Sequence, residues 1–161
     1  PDMSVTQAQQ FDFAWTVLAQ SPSVWNGFSA VLLQNATTGE KVLAIRGTND
    51  PADIWWADRV SIATVGDVTG MAQYAALETF YQQLVTNGQL GAAEQVVVTG
   101  HSLGGFLAQA FTARHDSVVS SAYTYNSPGF GGLGGQLLDW LGIVDGSVFV
   151  TSSGMNPTAT R

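Results

Sequence analysis

The chain has no cysteine, so its 161 residues cannot form a disulfide framework, a thiolate nucleophile or a zinc–thiolate site. Charge is scarce too. Asp, Glu, Lys and Arg make up 11% of the residues, less than half of the ~25% usual in globular domains. Five Lys plus Arg stand against twelve Asp plus Glu, a net charge of −7. A nucleic-acid surface needs a basic stripe to replace phosphate counterions, and five cations scattered from Lys41 to Arg161 cannot supply one. No apolar run approaches the ~18–20 residues of a membrane span. Pro1 to Ser4 carries neither the basic n-region nor the apolar h-region of a signal peptide. A start on Pro rather than Met reads as a processed, trimmed or excerpted chain. Low charge, eighteen glycines and no cysteine suit an exported protein, so secretion is the expectation.

What is present describes a folded domain. Apolar residues reach 45% and aromatics 11%, which excludes an acidic disordered tail. The length suits one domain over residues 1–161. Phe11, Ala14, Trp15 and Leu18 recur at helical spacing and predict a helix over Thr6–Gln20, capped by Ser4 or Thr6 and stopped before Pro22. Phe28–Leu33 and Lys41–Ile45 are β-branched apolar runs around the turn-rich Asn35–Gly39, read as a hairpin or adjacent strand pair. Met71–Val85 reads as a second helix ended by Asn87-Gly88. Gln95–Thr99 reads as a buried strand, Leu103–Arg114 as a helix, and Val118–Tyr125 and Ser147–Thr151 as strands. Gly-rich Phe130–Gly135 reads as a loop. Strands alternating with helices predict an α/β fold with a mostly parallel central sheet and helices on both faces.

One motif carries chemistry. Val96-Val97-Val98-Thr99 runs into Gly100-His101-Ser102-Leu103-Gly104 and on into the Leu103–Arg114 helix. Gly-x-Ser-x-Gly between a buried strand and a helix is the nucleophile-elbow pattern. A serine on so sharp a turn needs strained backbone, and glycine two residues before and after avoids a clash with chain crossing nearby. The hydroxyl of Ser102 then stands above the sheet, and the Leu103 amide at the helix N-terminus can donate to an oxyanion. The bland reading is a Gly-rich turn with a solvated serine. The strand before it and the helix after it favour the catalytic one.

At Gly100-His101-Ser102-Leu103-Gly104-Gly105 the chain resembles the lipase class 3 family, an α/β-hydrolase branch that includes the fungal triacylglycerol lipases. Val42-Leu43-Ala44-Ile45-Arg46-Gly47-Thr48 is similar to that family's strand ending in Arg-Gly-Ser/Thr. Asp53-Ile54-Trp55-Trp56-Ala57-Asp58 is similar to its following Trp-x-Ala-Asp stretch. Thr124-Tyr125-Asn126-Ser127-Pro128-Gly129 is similar to its strand ending in Gly-Ser-Pro. The blocks fall in the family's order within Phe11–Thr151. The resemblance implies an α/β-hydrolase fold and Ser102 as nucleophile, with Thr48 completing the oxyanion hole beside Leu103. It gives Trp55 to a lid, where it and Trp56 suit an acyl chain or a lipid interface. A core position is the alternative for Trp56. Arg46 and Asp58 look like a structural pair.

Both histidines fail as the triad base. His101 matches the family's elbow histidine, which is not the base. His115 stands thirteen residues along the helix from Ser102, ~20 Å at ~1.5 Å per residue, where a solvated histidine at a helix C-terminus is the expectation. The family places its base beyond the point matching residue 161, so a missing C-terminal segment or a complementary chain is the expected source. It places the acid after a strand matching Ser147–Thr151. Here Asn156-Pro157, in the loop 152–158, stands where Asp-Pro is usual. Asn156 can orient an imidazole but cannot offset its charge. Asp139 and Asp145 are poorly placed. The expectation is a serine esterase or lipase acting on carboxylic esters, without metal or cofactor, and nearly inactive as this chain alone. Triacylglycerol, phospholipid, polyester and feruloyl substrates stay open, as does a peptidase or thioesterase on the same fold. The contrasting reading is a non-catalytic hydrolase-like module.

Overall fold

The computed structural model describes residues 3–22, 25–47, 68–127, 150–152 and 157–159. The first element is helix α1 (Val5–Ala14), and strand β1 (Trp15–Gln20) follows it directly. Next come β2 (Ala30–Asn35), β3 (Lys41–Ile45), α2 (Val68–Thr86), β4 (Val96–His101), α3 (Leu103–Arg114) and β5 (Val119–Tyr125). A short antiparallel pair, β6 (Val150–Ser152) with β7 (Pro157–Ala159), closes the described chain, and β7 lies beside β5. None of the described helices is long and apolar enough to cross a membrane.

The expected helix over Thr6–Gln20 is two elements. Ser4 caps α1 in a reciprocal box with Gln7, as its position suggests. The helix stops at Ala14, because Trp15-Thr16-Val17 is an aromatic and β-branched run that gains backbone partners by pairing with β2. The helical spacing of Phe11, Ala14, Trp15 and Leu18 is therefore coincidental to a core face. No α1 residue is buried, and Phe11 instead stacks on Trp15 at 6.5 Å.

The five strands lie in sequence order, β1-β2-β3-β4-β5. The sheet is mixed rather than mostly parallel: β1–β2 and β2–β3 are antiparallel, while β3–β4 and β4–β5 are parallel. The reason is the connection length. Asn35–Gly39 is a tight turn, with the Asn35 side chain accepting from the amides of Thr37 and Thr38 and Gly39 at φ +74°. So short a link permits only a hairpin, whereas parallel neighbours need a helix-length crossover. Helices α2 and α3 supply those crossovers.

The register builds the core in rows. Leu32, Leu43, Val98 and Ala122 lie side by side across four strands, all buried. Tyr74, Leu77, Tyr81 and Leu84 of α2 and Phe106, Leu107 and Phe111 of α3 form one cluster with Leu32, Leu43 and Val98 of that row. Both of these helices therefore cover the same face of the sheet, not one face each. Each such side chain stabilises by about 1.5–3 kcal/mol when fully buried. The next row on this face, toward the C-terminal ends of β3, β4 and β5, is Ala30, Ile45, Gly100 and Thr124. It lies directly below the turn from β4 into α3.

Candidate active site

Ser102 occupies the turn between β4 and α3 at φ 54°, ψ −126°. An L-residue rarely adopts that conformation, and it persists only where the surroundings enforce it. Three glycines explain the enforcement. A Cβ on Gly100 would sit 2.2 Å from the Gly104 carbonyl oxygen, and one on Gly104 would sit 2.4 Å from that of Ile45. A Cβ on Gly47 would meet the His101 carbonyl oxygen at 2.6 Å and Ser102 Cβ at 3.5 Å. The elbow is thus wedged against both its own helix and the end of β3. Two hydrogen bonds fix it further: Ser102 N donates to Tyr125 O at 2.9 Å, and Phe106 N donates to Ser102 O at 3.1 Å.

The serine stands at the helix N-cap, yet its side chain makes no capping hydrogen bond. Serine at this position normally satisfies an amide of the first turn. Here the half-buried hydroxyl is not engaged that way. The first helical amides, beginning at Leu103, have no intrahelical acceptor by helix geometry. They place partial positive charge at the same end of α3 as the hydroxyl. The arrangement can hold developing negative charge next to a serine oxygen.

Of the residues expected to act, Ser102 and Leu103 come together at this turn. Thr48, Trp55, Trp56 and Asn156 lie outside the described residues, as do Asp58, Asp139 and Asp145. Gly47, the neighbour of Thr48, abuts the elbow. The segment 152–158, expected as a loop, contributes a strand at Pro157–Ala159, paired through Ser152 and Pro157 with β6. Arg46 is exposed, its Nη2 donating to Gly27 O at 3.4 Å.

His101 is exposed, and its Nε2 accepts from Asn126 Nδ2 at 3.2 Å. Asn126 itself adopts φ +47° as the chain leaves β5. His115 corrects the expectation of a solvated side chain. Its Nε2 lies 2.9 and 3.0 Å from the two carboxylate oxygens of Glu78 in α2. Its ring packs on Phe111 and Tyr81 at 4.4 and 4.8 Å between centroids. Tyr74 donates to the same carboxylate. Burial pushes the Glu78 carboxyl up, but the hydrogen bonds from His115 and Tyr74 and the nearby charges of His115 and Arg114 outweigh it and hold the carboxyl below its ordinary value. Burial, with Glu78 alongside, raises the Tyr74 phenol. This cluster clamps the far end of α3 to α2.

Motif reading missed Gln109. It is fully buried in α3, and its Nε2 donates to Ser127 Oγ in the turn after β5. The available signal was a lone amide seven residues after Ser102, between Ala108 and Ala110.

Among the solved structures that share this fold are two fungal lipases. A lipase from Rhizopus microsporus var. chinensis superposes with a TM-score of 0.55 at 21% identity, over 78% of this chain and 49% of that one. The Lip2 lipase from Yarrowia lipolytica gives 0.53 at 17% identity, over 79% and 50%. The chain thus has an α/β-hydrolase-like fold and spans about half the length of these lipases. By sequence, residues 13–134 match the Mbeg1-like family, and the chain belongs to that family. No curated protein matches it.

Proposed function

We propose that the chain carries the nucleophile of a serine esterase or lipase that hydrolyses carboxylic esters, acylglycerols or related lipid esters. The observation behind this reading is Ser102 itself. It is an uncapping serine held at φ 54° by backbone contacts at Gly47, Gly100 and Gly104. A strained backbone enforced from three directions has a cost that packing alone does not require.

In this reading, Ser102 Oγ attacks the ester carbonyl carbon. The carbonyl oxygen becomes an oxyanion held by the amides of Leu103 and Thr48. The C–O bond to the alcohol breaks and an acyl-enzyme remains on Ser102. A base takes the serine proton and delivers it to the departing alkoxide, and water then releases the acid. The base is an imidazole other than His101 or His115, from a further segment or a complementary chain. His101 is paired with Asn126, and His115 is held by Glu78 at the opposite end of α3. Asn156 is assigned to the acid position, where it orients that imidazole. Trp55 and Trp56 face the acyl chain or a lipid interface. No cofactor or metal enters these steps, and the protein works outside the cell.

The test is turnover of short-chain p-nitrophenyl esters by the full-length protein. Hydrolysis abolished in Ser102→Ala is the expected result. An unchanged rate in that variant overturns the assignment. Absence of turnover on any ester favours a non-catalytic module on a hydrolase fold.

A further inference from the structure

Two polar side chains are buried in α3. Thr112 returns its hydroxyl to its own helix, donating to Ala108 O at 2.7 Å. Gln109 reaches out of the helix instead, to Ser127. An amide among Phe106, Leu107, Ala110 and Phe111 is unfavourable unless bonded, and leucine would suit the site as well by packing. Gln109 stands two helical turns after Ser102, on the same side of the helix.

Ser127 is held from a second direction. A Cβ on Gly105 would lie 2.8 Å from Ser127 Cβ and 3.2 Å from its Oγ, so the absence of a side chain at Gly105 admits the serine against the helix. The preceding residue, Asn126, is at φ +47° and donates to His101. The residue before that, Tyr125, accepts the amide hydrogen of Ser102 through its carbonyl oxygen. The turn 125–127 therefore touches the residue before the nucleophile, the nucleophile's own amide and the helix after it.

We infer that Gln109 is a positioning residue for Ser102: by fixing Ser127 to α3 it locks the 125–127 turn, whose Tyr125 carbonyl holds the strained Ser102 amide in place. The role rests on the hydrolase reading above. It acts on geometry and not on charge, so it requires the Gln109 donor and the Ser127 acceptor together. A displacement of ~1 Å at a reacting group can lower a rate by up to ~100-fold, which gives a tie of this kind a measurable consequence.

The experiment compares the full-length wild type with Gln109→Leu, Ser127→Ala and the double variant. The readouts are the rate of fluorophosphonate labelling at Ser102, the melting temperature and amide hydrogen exchange over residues 123–127. Gln109→Leu keeps the volume and removes the amide that donates to Ser127. Labelling is expected to slow about tenfold or more, with faster exchange at residues 125–127 and a melting temperature unchanged or raised. Ser127→Ala removes the hydroxyl that accepts from Gln109 and is expected to slow labelling equally, with no additional loss in the double variant. It carries the same test if Gln109→Leu does not fold. Wild-type labelling with unaltered rates in both single variants overturns the role of Gln109 alone. So does a fall in melting temperature without a change in labelling. A wild type that takes no label overturns the hydrolase reading and this inference with it.

Discussion

Ser102 bears backbone strain at the centre of the site. A serine at φ 54°, ψ −126° is held away from its preferred conformations, and glycine would occupy the same point without penalty. Ser102→Gly is therefore expected to raise stability by about 1–2 kcal/mol, read as a higher melting temperature, while abolishing ester turnover. A fall in stability would mean that the serine side chain supports the fold and is not merely tolerated. This feature was legible in the sequence because the spacing of Gly100, Ser102 and Gly104 has one local cause. The backbone that a Cβ at Gly100 or Gly104 would strike supplies that cause in the fold. Gln109 was not legible in the same way. Its partner Ser127 is eighteen residues away, and local periodicity carries no information about a contact made across a strand.

At the scale of the elements, α2 and α3 are joined by a polar clasp at one end and by apolar packing along their length. The clasp gives a pH dependence whose sign follows from Glu78. Its carboxyl titrates lower in the folded chain than its ordinary value of 4.5. Ionised Glu78 therefore contributes stability above about pH 4.5, and that contribution is lost as pH falls through the lowered value. Glu78→Gln is expected to lose about 1–3 kcal/mol at pH 7, the scale of hydrogen bonds to a charged group. The difference from wild type should shrink toward pH 3, and melting temperatures across that range measure it. An equal difference at pH 3 and pH 7 would remove the carboxylate's charge from the account.

Thr124 offers the opposite case within β5. Its buried Oγ1 has no hydrogen-bond partner among the described residues, although it lies in the row beside Gly100. Thr124→Val exchanges the hydroxyl for a methyl of similar size. It is expected to stabilise by about 1 kcal/mol, since an unsatisfied buried group costs ~1–3 kcal/mol. A lower melting temperature would indicate that the hydroxyl has a partner. The elements themselves were read well wherever the apolar pattern was continuous. Leu103–Arg114 is a helix with those bounds, and Lys41–Ile45 is a strand with those bounds. The failure at Trp15–Gln20 came from helical spacing of apolar residues that runs on into a strand, settled only by pairing with β2.

For the whole molecule, two halves of the sheet serve different ends. The antiparallel hairpin side, β1–β3, follows from short turns. The parallel side, β3–β5, follows from the helical crossovers and brings Gly47, Ser102 and the 125–127 turn to one edge. Alternation of strands and helices in the second half of the chain made the α/β class readable. The β2–β3 hairpin was readable too, but the antiparallel β1–β2 pairing was not, because β1 was concealed within a helical pattern. In the proposed mechanism neither described histidine is the base, because His101 is paired with Asn126 and His115 with Glu78.

The most direct measurement is fluorophosphonate labelling of the natural full-length protein, with the adduct located by peptide mass spectrometry. The account predicts one adduct, on the peptide containing Ser102, absent from Ser102→Ala. An adduct on another residue, or none on the folded wild type, would contradict it.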